Sequence, residues 1–138
     1  MTPQTTHTTS THFPIDHVLA AFEKGDVPTL LGSIADDIDF RIDHYRDDAD
    51  TAWQVAHNKA ELMAVVQRLG PEVFPQGTHI VHTHSQGLGN DWVITQLHQR
   101  FFYAVQQREV ESVTWIVSHS QNGQMDYFRE TVTTITPT

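Results

Sequence analysis

Hydrophobic residues early in the chain recur at helical spacing: Ile15, Val18, Leu19 and Phe22 line one face of a helix that begins at Pro14. Gly25 ends it and Asp26 is placed to cap the next helix. Pro28 then sits in the first turn of that second, short helix, which carries Leu30, Leu31 and Ile34 and which Asp36-Asp37 closes. From there the period changes to two. Ile38, Phe40, Ile42 and His44 alternate with Asp39, Arg41, Asp43 and Tyr45, the pattern of a half-buried strand. Residues 46–58 read as a polar loop around Trp53, and a third helix runs roughly from Lys59 to Leu69, with Leu62, Val65, Val66 and Leu69 as its apolar stripe and Gly70-Pro71 as its stop.

The second half reads as strand throughout, near 78–86, 92–104, 109–121 and 124–134. Residues 87–91 (Gly-Leu-Gly-Asn-Asp) read as a hairpin loop, and Asn122-Gly123 is the strongest two-residue hairpin signal. Val105–Arg108 is a turn without glycine, which leaves the register of that pair open. No internal repeat or second domain boundary is visible. Helices first and an antiparallel meander after predict an α+β domain: a curved antiparallel sheet of about five strands folded over about three N-terminal helices around a pocket.

Composition narrows the function classes. The 138 residues suffice for one domain with a core. The Thr-rich residues 1–12 bury too little to offset ordering and read as a disordered tail, with the domain over 13–134 and a short C-terminal tail over 135–138. With no cysteine, disulfides, thiolate catalysis and Cys-based metal sites are excluded. The formal net charge of -9 and the lack of any Lys/Arg cluster argue against nucleic acid and anionic membrane as partners. No apolar run reaches membrane-span length and the start lacks a signal-peptide pattern, so the expected location is the cytoplasm.

Several strings, in this order, resemble the nuclear transport factor 2-like superfamily, especially its SnoaL-like and ketosteroid-isomerase-like branches. They are Phe22-Glu23-Lys24-Gly25-Asp26 before Leu30-Leu31; Ile34-Ala35-Asp36-Asp37 leading into a strand; Asn58-Lys59-Ala60-Glu61-Leu62 at the third helix; and Asn122-Gly123-Gln124-Met125 followed by Asp126-Tyr127-Phe128-Arg129-Glu130 at the last hairpin. The resemblance implies a cone-shaped, cystatin-like fold, a pocket between sheet and helices, and a homodimer through the outer sheet face. It implies no single activity, since members include isomerases, cyclases, hydrolases, dehydratases and non-catalytic modules. Aligned on Gly25-Asp26 and Asp36-Asp37, the steroid isomerases' base falls on Ile42, their tyrosine on Val18, and their protonated aspartate near Ile116 or Val117. None of these side chains exchanges a proton, which argues against a standard ketosteroid isomerase.

Candidate site residues follow from strand parity. If Asn122-Gly123 is a two-residue turn, His119 pairs with Asp126, Val117 with Phe128, Trp115 with Glu130 and Val113 with Val132. That face carries the large apolar residues and is assigned to the interior. His119 with Asp126 is then either a general base whose tautomer the carboxylate fixes or a wet polar pair at the hairpin end. His44, on the parity of Phe40 and Ile42, is either a second base or substrate donor, or a histidine satisfied at a strand end. Trp53 is either an aromatic wall for a ligand or plain core. Trp115, Val117 and Phe128 shape the cavity, and Glu130 offers a second carboxylate. His82, His84 and His98 share the opposite parity, which places them on the outer face; there they form the dimer contact, as a pH-sensitive interface, or chelate a metal in a hydrolase. The seven aspartates between Asp36 and Asp50 lack the glycine turn and closing glutamate of a calcium loop and read as solvated charge.

The expected function is therefore binding of a small, largely apolar organic molecule in the cone, with acid–base isomerase, cyclase or lyase chemistry by His44, His119 and Asp126. The alternative is a non-catalytic ligand-binding or dimerisation module. No metal or organic cofactor is called for by any motif.

Overall fold

The structure, a computed structural model, describes residues 13–44 and 53–138. The expected disordered tail and the polar loop up to residue 52 lie outside the described residues. Helix α1 (Pro14–Lys24) starts where the Asp16 carboxylate accepts the Phe13 backbone N–H at 3.0 Å and ends at Gly25, whose φ of 72° suits glycine. Helix α2 (Val27–Gly32) is capped by the Asp26 carboxylate, which accepts Thr29 N–H at 3.3 Å. It is shorter than expected, because Ile34 already opens strand β1 (Ile34–His44). After the two-residue β2 (Val55–Ala56), helix α3 (Lys59–Glu72) starts from Asn58, whose side chain accepts Glu61 N–H at 2.8 Å.

Gly70-Pro71 does not stop α3 as expected. Proline in the last turn forfeits one bond, but the N–H groups of Val73 and Phe74 both donate to Leu69 O, at 3.0 and 2.9 Å, and close the end. Burial of Val73, 4% exposed, rewards the extra turn.

Four long strands complete the chain: β3 (Thr78–Gly89), β4 (Trp92–Tyr103), β5 (Arg108–Gln121) and β6 (Gln124–Pro137). The sheet order is β2-β1-β6-β5-β4-β3, six strands rather than about five, and it is mixed because β1 runs parallel to β6. The β3–β4 loop is tighter than expected: Asn90 and Asp91 alone turn the chain, with φ of 54° and 68°, and the strands run into the glycines on one side. Asn122-Gly123 turns the β5–β6 hairpin as the sequence predicts, with φ of 56° and 78°. The expected C-terminal tail is strand, since Ile135 pairs with Ser112 and Pro137 with Val110.

The curved sheet wraps the helices over one face. Ile15, Val18 and Leu19 of α1 and Leu62, Val65 and Leu69 of α3 bury against Ile38, Phe40, Ile116 and Phe128 from the strands. One buried polar chain ties α1 to the sheet: Ser85 Oγ donates to Asp16 Oδ1 at 2.7 Å and lies 2.7 Å from Thr95 Oγ1. Asp16 thus serves the helix start and the sheet together. Asp16→Ala strips the partner from two donors, and urea unfolding is expected to show a loss of about 1–3 kcal/mol. Ser85→Ala, which leaves the Phe13 cap in place, is expected to cost less in the same measurement.

Candidate active site

The cavity lies between the concave sheet face and helices α1 and α3, with a volume of about 100 Å³. That is of the same order as cavities that accept benzene, about 150 Å³. Its wall is mostly hydrocarbon, from Val18, Phe22, Leu62, Leu69, Phe101 and Phe128 among others. Phe40 stacks on Phe128 with ring centroids 4.7 Å apart, because the two residues are in register on the parallel strands β1 and β6. At the far end, Phe74 lies 5.3 Å from Phe22 and 4.5 Å from Phe101, centroid to centroid.

Glu130 stands in this wall and is 8% exposed. Its strand neighbours in register are Ile42 on β1 and Ile116 on β5, so hydrocarbon flanks it on both sides. Loss of hydration penalises the carboxylate and pushes its pKa up to about 7. The Thr114 hydroxyl opposes this, although it stops short of full hydrogen-bond geometry. Among the described residues that line the cavity Glu130 is the one with a charged side chain, with no Lys, Arg or His beside it.

Three other polar side chains reach the same space without hydrogen-bond partners among the described residues: Gln54 through both amide atoms, and Ser112 and Thr114 through their hydroxyls. Gln99, also in the wall, is occupied, accepting from Thr78 Oγ1 at 2.7 Å. Nothing in the sequence pattern singles out these residues. Gln54 sits in a stretch that reads as loop, and Ser112 and Thr114 fall on the strand face that parity alone assigns to the outside.

That exchange of faces comes from one residue. Gln121 pairs with Gln124 and Ser120 with Met125, as a two-residue turn requires, but His119 then pairs with Tyr127, leaving Asp126 as a bulge. Beyond it every pairing shifts: Ser118 faces Phe128, Ile116 faces Glu130 and Thr114 faces Val132. Phe128 and Glu130 therefore line the cavity with Phe40 and Ile42, whereas Trp115 and Val117 point to the outer face and do not. Trp115 is 41% exposed.

His119 and Asp126 do meet, Nδ1 to Oδ1 at 2.6 Å, and both are half-buried. They lie away from the cavity wall, with the His119 ring 4.8 Å from Trp92. His44 ends β1 in register with Val132; its side chain lies outside the described residues. Trp53 is half-buried at the rim of the core, with the Arg68 guanidinium 4.1 Å over its ring, and is not part of the cavity lining. His82 pairs with His98 on the outer face, and His98 Nε2 lies 3.1 Å from Glu111 Oε1. Among the described residues no three His, Asp or Glu side chains converge as a metal site.

No protein-family model matches the sequence, and no curated protein matches it. Solved structures do match. A protein from Rhodopseudomonas palustris provisionally described as an isomerase shares 18% identity, covering 91% of this chain and 93% of its own, with a TM-score of 0.65. An epoxide hydrolase of M. tuberculosis, described as LEH-like, shares 16% identity, covering 95% and 86%, with a TM-score of 0.64. A protein of Pseudomonas putida provisionally described as a polyketide cyclase shares 12% identity, covering 90% of each chain, with a TM-score of 0.67. The chain has the nuclear transport factor 2-like fold. Among its described residues no helix is long and apolar enough to cross a membrane.

The raised pKa of Glu130 links stability to pH. Below the ordinary carboxyl value of 4.5 both folded and unfolded chains hold the proton. As pH rises toward about 7 the unfolded chain releases it first, so Glu130's contribution is lost across that window and stays lost above it. The loss is on the order of 3 kcal/mol. Urea unfolding of Glu130→Gln is expected to show a flatter pH profile than the wild type and greater stability at pH 8, and carbon NMR of the wild-type Glu130 carboxyl is expected to titrate near neutrality.

Proposed function

We propose that the protein binds a small, largely apolar organic molecule in this cavity and shifts a proton on it, with Glu130 as base and then acid. The observation that carries this reading is a carboxyl enclosed by hydrocarbon, with a pKa of about 7. Such a group is present in both protonation states at neutral pH, which suits proton abstraction and return equally. As carboxylate it takes a proton from a carbon next to a carbonyl, and the C–H electron pair moves onto the carbonyl as an enolate. As acid it delivers the proton to another atom of the same molecule, the balance of an isomerisation. Among the described residues the wall supplies no cation, so the electrostatic drive comes from desolvation of the base rather than from a counter-ion.

The same chemistry sits one strand from where the steroid isomerases keep their base, since Glu130 is in register with Ile42. His119 and Asp126, on the other side of the sheet, are not assigned a step in it. A homodimer through the outer face belongs to this proposal as well. There Trp92 and Trp115 are 37% and 41% exposed, with half-buried Ile94, Val113 and Val117 beside them.

Cyclohexanone in deuterium oxide tests the base. Wild type is expected to accelerate exchange of its α-protons for deuterium, followed by proton NMR, with a pH midpoint near neutrality. Glu130→Gln is expected to lower that rate about 100-fold or more, while His119→Ala leaves it within about threefold. Exchange that survives Glu130→Gln sinks the assignment; no exchange by a wild type that binds the ketone makes the protein a non-catalytic binding module. For the dimer, sedimentation is expected to give twice the chain mass for wild type and a monomer for Trp115→Glu.

A further inference from the structure

We propose that Gln54 orients the ligand and selects a neutral compound whose carbonyl oxygen has an N–H or O–H donor beside it, the edge of a lactam or a hydroxy-ketone. Gln54 is 1% exposed, lines the cavity, and has neither its amide oxygen nor its amide nitrogen hydrogen-bonded among the described residues. A buried primary amide left open on both sides is uncommon, because each unmade bond carries the full desolvation cost. The two atoms lie side by side at the end of one planar group. A single molecule satisfies both only if it presents an acceptor and a donor with the same spacing.

The backbone places that amide with respect to the base. Ile42 N–H donates to Gln54 O at 3.0 Å, and Ile42 is in register with Glu130 on its other side. Gln54, Ile42 and Glu130 thus form one row across the sheet, all three lining the cavity. Two strand spacings of about 4.8 Å put the outer pair roughly 10 Å apart at the backbone. One ring lying over Ile42 would meet the amide with its polar edge and the carboxyl with a neighbouring carbon. Among the described residues the wall holds no cation, so a carboxylate or phosphate ligand would face Glu130 uncompensated, and the mostly hydrocarbon lining favours a ligand that brings no charge of its own.

The inference rests on the cavity being a ligand site, and its test separates Gln54 from Glu130. Three single-ring probes are titrated at pH 8 into full-length protein and followed by NMR shifts of the cavity methyl groups: 2-pyridone, toluene and benzoate. 2-Pyridone is expected to bind about tenfold or more tighter than toluene, as two net hydrogen bonds allow, and benzoate not to bind. Gln54→Leu, which keeps the volume apolar, is expected to bring 2-pyridone within about threefold of toluene while toluene binding persists and reports an intact cavity. Glu130→Gln is expected to keep the 2-pyridone preference even as it abolishes ketone exchange. A preference that survives Gln54→Leu overturns the inference and leaves Glu130 as base untouched; so does tighter binding of benzoate than of 2-pyridone. Failure of all three probes to bind the wild type overturns it together with the ligand site.

Discussion

Between the Ser120–Met125 and His119–Tyr127 pairs, β6 carries one residue more than β5, and that residue, Asp126, bonds sideways to His119 at 2.6 Å. Strand side chains alternate with a period of two, so one extra residue reverses the faces of everything beyond it. Without the bulge, Trp115 and Val117 would share a face with Phe128 and Glu130. With it, Ser118, Ile116 and Thr114 stand beside those two residues, and the bulky side chains of β5 turn outward. A cavity exists because short side chains from β5 replace a tryptophan in the wall. The His119–Asp126 hydrogen bond lies at the position of the extra residue, on the face away from the cavity. A second irregularity near Thr133, whose hydroxyl donates to Val113 O at 2.7 Å, restores the parity so that Ile135 reaches the cavity too.

The space so formed is costly, and its cost is concentrated in few residues. An ionised Glu130 in hydrocarbon, together with the unpaired groups of Gln54, Ser112 and Thr114, works against stability. The compensation lies around them rather than between them: the Phe40–Phe128 stack, the Phe22–Phe74–Phe101 cluster and the fully buried Ile38 and Ile116. Local rules broken at one place and obeyed elsewhere are the usual mark of a site rather than of a poor core. Asp16 makes the contrast clear. It is as buried as Glu130, but it has Ser85 and the Phe13 N–H as partners and closes a helix start instead of facing a void.

The layers of this fold are legible in the sequence because they depend on strong local signals. Ile15 to Phe22 carry a helical period, Asn122-Gly123 permits only a tight hairpin, and the outward parity of His82, His84 and His98 holds in the sheet. The site is less legible for two physical reasons. Strand parity favours the bulkier stripe of β5 as the interior, but this sheet has apolar demands on both faces, and Trp115 belongs to the outer one. The bulge also has a trace that only the structure explains: Met125 and Phe128, both buried, are three residues apart, an odd spacing that no regular strand can place on one face. Gln54 leaves no trace at all, since β2 is two residues long and its position depends on pairing with β1 across a break in regular structure.

Position on the sheet therefore matters more for this chemistry than position along the chain. The fold's neighbours show that the cone tolerates wide divergence, with identities of 10–21% at comparable shape. In a parallel pair such as β1 and β6, residues in register point the same way, so a carboxyl on either strand enters the cavity at nearly the same place. A chain that carries isoleucine at 42 and glutamate at 130 can hold a base over the same floor as one with the two exchanged. What changes is the surroundings. Glu130 lies on an interior strand between Ile42 and Ile116, with hydrocarbon on both flanks, and this burial brings its pKa to about 7 with no charged partner among the described residues. A base tuned by desolvation, as proposed for Glu130, suits molecules that do not themselves carry charge into the cavity, because an anion beside it would hold the proton on and a cation would strip it away.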